Sequence, residues 1–327
     1  MTIDQRFRNL MLIVSSCHVP RPSDRESGTT AGTLLRCLVA GAVCLVGAGV
    51  RVASAQGGTD IWIVPLQVEG SALRLGAGAR NLTSRPGYDN QPFFGADGTL
   101  YYTSIRDDAQ ADIYRITLPG GAITRVTSTP ESEYSPRPTP DGIGITVVRV
   151  ERDSAQRLWV FPVNGDPPRL LLPGLAPVGY YAWADTGDLL TFVLGSPSTL
   201  QLASPASDST TTLARDIGRS LQRIPGTSRI SVLIREPDTP GRIMAWEPGS
   251  SHLEPLTLAV PGAQDFAWTP TGTLLMARGR TIFGWRPGQE EWETVGTLGA
   301  PGTGAATRLA VSPDGEWLAV VLAEDGV

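Results

Sequence analysis

The sequence predicts an all-β protein: a six-bladed β-propeller of four-stranded antiparallel blades, with its ring closed by an amino-terminal strand. Three observations carry this reading. A hairpin pattern recurs six times at intervals of 41 to 45 residues. The composition, with 37 glycines, 27 prolines and only 18% charged residues, suits short strands joined by tight turns better than long surface helices. The last repeat stops after its hairpin, and the region after residue 55 opens with an outer strand that has no hairpin before it.

In chain order, residues 1–55 read as an export segment rather than as fold. The uncharged run Cys37–Val50, 14 residues long, follows Arg36 and precedes Ala53-Ser54-Ala55. A basic flank, a short apolar run and a small-x-small site make a secretory signal, with cleavage expected before Gln56. A run of 14 falls short of the roughly 20 residues a membrane-crossing helix needs, so no membrane span is expected after cleavage. The expected location is periplasmic or secreted. Cys17, Cys37 and Cys44 all lie in this segment, leaving residues 56–327 without a disulfide or thiol nucleophile. Those residues carry 21 arginines, no lysine and 29 acidic side chains, which argues against nucleic acid as a partner.

Residues 56–327 read as the propeller. Its hairpins are QPFFGADGTLYYTS (91–104), SPRPTPDGIGITVV (135–148), YYAWADTGDLLTFV (180–193), DFAWTPTGTLLMAR (265–278) and RLAVSPDGEWLAVV (308–321), with the degenerate LQRIPGTSRISVLI at 221–234. Gly98, Gly142, Gly187, Ser228, Gly272 and Gly315 are taken as equivalent. The Asp-Gly or Thr-Gly pair is expected to supply the positive φ angles of a two-residue turn between alternating apolar strands. Third strands are expected at 112–116, 157–161, 199–202, 242–246 and 281–285, and short fourth strands at 125–127 and 169–171. Four strands per repeat of this length is a propeller-blade pattern. The orphan strand Asp60–Leu66 is expected to complete the last blade beside the hairpin 308–321, leaving no exposed sheet edge.

The first repeat contains Leu82-Thr83, Pro92-Phe93-Phe94, Asp97-Gly98, Thr103-Ser104-Ile105-Arg106, Asp112-Ile113-Tyr114 and Gly120-Gly121, and the sixth contains Ser312-Pro313-Asp314-Gly315. These resemble the TolB-like, or PD40, propeller repeat. The resemblance extends over residues 60–327, most strongly in the first, second and sixth copies. It implies a propeller used for protein binding. The founding proteins also carry an α/β domain before the propeller, whereas here the repeats follow the apolar segment directly, so their role does not transfer as a unit.

The sequence offers little chemistry. No G-x-S-x-G motif is present, which removes the hydrolase reading attached to propeller-bearing exopeptidases. His252, the single histidine after residue 55, falls between outer strands of the fourth copy and reads as a solvated loop residue. With one histidine and no cysteine there, zinc, copper and haem lack their usual ligands. No cofactor is expected, although a calcium ion on channel carboxylates, as in some six-bladed lactonases, stays open; Asp89, Glu133 and Asp265 are its candidate ligands. Asp107-Asp108 reads as a solvated loop. Phe94, Trp183 and Trp268 share one repeat position and are expected to pack blade against blade.

The residues just before each innermost strand vary between copies, as a recognition surface would. Asp89, Asn90, Glu133, Tyr134, Arg219, Gln264, Asp265 and Arg308 are the candidate channel-mouth residues. The expected function is a non-enzymatic scaffold binding a protein or a cell-envelope component. A calcium-dependent lactonase- or lyase-like hydrolase is the alternative.

Overall fold

The computed structural model describes residues 58–70, 72–106, 110–118, 120–299 and 304–324. The expected export segment and the Asp107-Asp108 loop lie outside the described residues. Among the described residues there are 25 strands and no helix.

The chain opens with β1 (Thr59–Glu69), β2 (Ala72–Leu75) and β3 (Arg80–Asn81). Five groups of four follow. The first is β4 (Tyr88–Phe94), β5 (Thr99–Ile105), β6 (Ala111–Thr117) and β7 (Thr124–Arg125). The second is β8 (Ser132–Pro138), β9 (Gly144–Val150), β10 (Gln156–Pro162) and β11 (Arg169–Leu170). The third is β12 (Val178–Trp183), β13 (Leu189–Val193), β14 (Thr199–Ser204) and β15 (Ser209–Arg215). The fourth is β16 (Ile217–Arg223), β17 (Ile230–Ile234), β18 (Arg242–Trp246) and β19 (Leu253–Leu258). The fifth is β20 (Phe266–Trp268), β21 (Leu274–Arg278), β22 (Thr281–Trp285) and β23 (Glu293–Thr297), and the chain ends with β24 (Ala306–Val311) and β25 (Trp317–Ala323).

Each group of four pairs antiparallel with its sequence neighbours. β1 pairs antiparallel with β25, from Thr59 opposite Ala323 to Pro65 opposite Trp317, and also with β2 and β3. A four-stranded unit β24-β25-β1-β3 is thus built from both ends of the described chain. Thr59 and Tyr88 form a parallel pair that links it to β4, so the largest sheet runs β24-β25-β1-β4-β5-β6-β7 with β2 and β3 on β1. Among the described residues no sheet closes on itself through hydrogen bonds; apart from the β1–β4 link, neighbouring units meet mainly through side chains.

The second strand of each unit is covered on both faces, which explains its near-continuous apolar run. β9 is buried at every position, as is β13. The core lies between units: Tyr134, Val148 and Leu158 of one pack with Val178, Tyr181 and Leu189 of the next. Ile61 and Ile63 of β1 pack with Leu100 and Tyr102 of β5 and with Ala319 and Val321 of β25.

The Asp-Ile and Leu-Thr fragments of the repeat have a shared physical purpose. Thr83 Oγ1 accepts from Ile61 N at 3.0 Å, and Thr127 Oγ1 accepts from Ile113 N at 2.9 Å. A threonine beyond β3 and another beyond β7 therefore continue the hydrogen bonding of the third strand where the ladder ends. The preceding aspartates are held too: Asp60 accepts from Asn81 Nδ2 at 2.6 Å, and Asp112 pairs with Arg125 at 2.6 Å.

The hairpin turns differ from expectation in two respects. Only the glycines are left-handed, with φ of 79° at Gly98 and 76° at Gly315; the aspartates before them are not. Gly98 N donates to Gly95 O at 3.0 Å, and Asp97 Oδ1 accepts from Thr99 N at 3.0 Å. This is a four-residue turn ending in a left-handed glycine, with the aspartate capping the next amide, rather than a two-residue primed turn. In the degenerate fourth copy the left-handed residue is Gly226, φ 73°, and not a residue at the position of Ser228. Ile224-Pro225-Gly226-Thr227 has Pro and Gly at the two central positions, as a type II turn requires, and the loop to β17 is correspondingly longer.

Candidate binding channel

The first strand of most units carries an irregularity in its ladder. The register shifts between Asn90 and Phe93, Tyr134 and Arg137, Val178 and Tyr180, Ile217 and Leu221, and Ala306 and Arg308. In the first two the cause is visible in the sequence: Pro92 and Pro136 have no N–H to give a ladder. The preceding Gln91 and Ser135 take φ of 57° and 54°. Gln91 Oε1 accepts from Ser135 N at 2.8 Å and from Thr103 Oγ1 at 3.0 Å, which ties the two irregular strands together. Such bulges turn side chains out of the regular alternation.

The turned side chains meet in a narrow waist of about 50 Å³, to which each of the six units contributes. Gln91, Arg137, Tyr180, Arg219, Asp265 and Arg308 supply its polar groups. On one side the waist continues into a cavity of about 280 Å³ bounded by Phe93, Phe94, Pro138, Trp183, Pro225 and Trp268, with Arg137 and Gln222 shared between the two spaces. On the other side lies a cavity of about 210 Å³ at Arg219, Gln264, Asp265, Arg278, Thr307 and Arg308. One end is apolar and aromatic and the other polar.

Three guanidinium groups sit at the waist, held mainly by neutral acceptors. Arg137 Nη2 donates to Leu221 O at 3.0 Å and its guanidinium lies 4.6 Å from the centre of the Phe93 ring. Arg219 Nη2 donates to Thr307 O at 2.6 Å, and Arg308 Nη1 donates to the same oxygen at 3.1 Å. Arg308 Nη2 also donates to Tyr180 OH at 2.9 Å. Burial pulls Arg137 and Arg219 down to about 10, with the Arg308 charge adding to the effect at Arg219; both remain cations at neutral pH. For Arg308 burial acts in the same downward direction, yet Tyr180, Asp265 and Tyr88 together raise it. Asp265 is the carboxylate whose charge is felt by all three arginines, and its Oδ2 is occupied by Leu309 N at 2.9 Å.

The eight residues expected at the channel mouth fall into two sets. Arg219, Gln264, Asp265 and Arg308 line the channel. Asp89, Asn90, Glu133 and Tyr134 do not line the waist or either of these cavities; they lie inside β4 and β8, whose strands begin earlier than the repeat alignment implied. Asp89 is enclosed and pairs with Arg85 at 3.2 Å, and burial raises its pKa against the lowering influence of Ser104 and Arg85. Asn90 is buried and caps Gln91 N at 2.8 Å. Glu133 accepts from Thr129 Oγ1 at 2.5 Å and lies 3.4 Å from Arg149 Nε; burial nevertheless pushes its carboxyl up to about 7. Tyr134 belongs to the core between two units. Asp89, Glu133 and Asp265 are therefore not gathered at one point as a calcium site would require, and among the described residues no three His, Cys, Asp or Glu side chains are grouped to hold a metal ion.

Arg137, Gln91, Tyr180 and Gln222 are channel residues that sequence reasoning missed, because it searched ahead of the inner strands rather than within them. The Gln91-Pro92 and Ser135-Pro136 pairs were the available signal. Trp183 and Trp268 serve two purposes: each indole N–H is bonded to the preceding unit, at Thr146 Oγ1 (3.1 Å) and Ser231 Oγ (2.9 Å), while the rings bound the apolar cavity. His252 is exposed in the turn between β18 and β19.

No protein-family model matches the sequence. Solved structures resemble the fold. A protein assigned as TolB from Agrobacterium tumefaciens aligns with a TM-score of 0.64 at 16% identity, over 83% of this chain and 100% of its own. TolB from Acinetobacter baumannii aligns with a TM-score of 0.54 at 11% identity, over 81% and 80% of the two chains. A protein assigned as a gluconolactonase aligns with a TM-score of 0.52 at 11% identity, over 72% of this chain and 88% of its own. At these identities the likeness is one of fold: an all-β, propeller-type arrangement of four-stranded antiparallel sheets.

Proposed function

We infer that the six four-stranded units close into a six-bladed ring, with β1 completing the last blade, and that the chain is an exported scaffold whose axial channel binds part of a protein or cell-envelope component. The observation that carries this reading is the channel itself: every unit contributes to its waist, and it presents an aromatic end, a cationic centre and a polar end. Rigid strands holding convergent polar groups beside an apolar cavity suit recognition. The export pattern at residues 36–55 supports a periplasmic or secreted location, and the acidic excess argues against nucleic acid.

Two measurements test the reading. Mass spectrometry after expression in a Gram-negative host should find the mature chain beginning at Gln56 in the periplasm; an intact amino terminus in the cytoplasm would remove the location. Envelope proteins captured by the wild type should be lost from a Phe93→Ala, Trp183→Ala variant, and a variant that keeps every partner would discard the channel as the binding site.

The neighbour assigned as a gluconolactonase supports the second reading, a calcium-dependent lactonase-like hydrolase. Lactone hydrolysis that appears with added calcium and stops with chelator would establish it. Guanidinium groups at the waist, and arginines beside Asp89 and Glu133, oppose a bound cation there.

A further inference from the structure

We propose that the channel captures the carboxyl terminus of a peptide, with the terminal carboxylate at the waist and the last apolar side chains in the aromatic cavity. This rests on the reading of the channel as the binding site and names what enters it.

The charge at the waist points to an anion. Arg137, Arg219 and Arg308 face one carboxylate, Asp265, in a protein that is otherwise acidic. Arg219 and Arg308 converge on one neutral acceptor, Thr307 O, so two like charges are held together without a formal counter-ion between them. The site also has unused donors. Arg219 is 7% exposed with its Nε unbonded, and Gln91, also 7% exposed, has its Nε2 unbonded. A buried donor without a partner costs about 1–3 kcal/mol, and a charged one more. A carboxylate placed at the waist offsets the repulsion between the guanidinium groups, since charge-assisted bonds of guanidinium to carboxylate are the stronger kind. The waist, at about 50 Å³, is the smallest of the three spaces and has room for one such group.

The shape of the channel and Gln222 identify what carries that carboxylate. Gln222 lines both the waist and the aromatic cavity. Its side-chain amide makes no hydrogen bond among the described residues and presents a donor and an acceptor side by side, the complement of a peptide unit. A hydrocarbon chain would leave both unused. Beyond it, Phe93, Trp183 and Trp268 offer apolar surface, and the two indole N–H groups are already bonded within the protein, leaving the rings for packing. Carboxylate, peptide unit and apolar side chain in that order are the end of a polypeptide, a recognised mode of terminal capture.

The test is calorimetric titration of the mature chain with acetyl-Ala-Phe-Leu bearing a free carboxylate, with the same tripeptide as its terminal amide, with hexanoate and with inorganic phosphate. The free acid should bind saturably, at least ten times more tightly than the amide and than either small anion. Arg219→Gln should weaken the acid about tenfold and leave the amide nearly unchanged, and Gln222→Ala should weaken both peptides. The acid-to-amide ratio on unaltered protein needs no variant to fold. Equal binding of acid and amide overturns the carboxylate site; hexanoate or phosphate binding as tightly as the acid overturns the peptide assignment. No peptide binding overturns the proposal even where envelope partners are still captured, whereas failure of the wild type to capture any envelope partner counts against the scaffold reading and not against this one.

Discussion

Trp268 donates its indole N–H to Ser231 Oγ at 2.9 Å, joining the first strand of one unit to the second strand of the unit before it. Trp183 repeats the relationship two units earlier, with Thr146 Oγ1 at 3.1 Å. Units that share no ladder are thus registered by single side-chain bonds within an apolar interface. Trp268→Phe keeps an aromatic ring but removes the donor, and it should cost about 1–2 kcal/mol in urea unfolding. A loss below 0.3 kcal/mol, as an order-of-magnitude limit for a negligible bond, would mean that ring packing alone sets the register.

Glu133 gives the fold a pH dependence of unusual sign. Burial lifts its carboxyl from 4.5 to about 7, so between those values the native chain holds a proton that the unfolded chain has released. Stability therefore falls as pH rises from about 4.5 to 7, then levels off. Glu133→Gln should abolish this slope and be the more stable form at pH 8, by at most about 3 kcal/mol. Arg149 keeps Glu131 as a partner in that variant. Urea midpoints from pH 4.5 to 8 that run parallel in the two proteins would refute the assignment.

Ile63 tests the pairing of β1 with β25. Its side chain is completely enclosed and packs among residues of β5 and β25. Ile63→Ala should lower stability by about 2–5 kcal/mol, the usual range for such a cavity. Val68, farther along the same strand and 66% exposed, should tolerate alanine almost without effect. Similar losses at both positions would contradict the enclosed placement of the strand.

Asp185 and Arg223 form a bidentate ion pair between two neighbouring units, with one contact at 2.6 Å, but both side chains are about half exposed. Solvent screening limits such pairs to about 1 kcal/mol or less. Asp185→Asn should shift the urea midpoint only slightly, and added salt should shrink the difference further. A large, salt-insensitive loss would show that the pair is structural.

Sequence periodicity located the hairpins because left-handed glycines recur at Gly98, Gly142, Gly187, Gly272 and Gly315. It failed at Ser228, where Pro225-Gly226 moves the left-handed residue and lengthens the turn. Third strands were legible from their apolar alternation; β6 and β18 lie where the spacing places them. The channel was half legible. Arg219, Gln264, Asp265 and Arg308 line the cavities, while Asp89 and Glu133 turned inward to arginines because their strands begin at Tyr88 and Ser132. Arg137 was missed for a related reason: a bulge shifts which side chain faces the waist, and a strict two-residue period cannot register that shift.

The β1–β25 pairing also determines how the protein would respond to tension. Thr59, at the start of β1, lies opposite Ala323, at the end of β25. A pull on the chain at these two residues acts across the ladder, so its hydrogen bonds break one after another, beginning with the outermost. Had the strands been parallel, the same pull would have loaded every bond of the pair at once. The pairing that encloses Ile61 and Ile63 is thus also the seam that yields first to such a pull, and once it opens, Trp62, Ile63 and Val64 become a free strand edge.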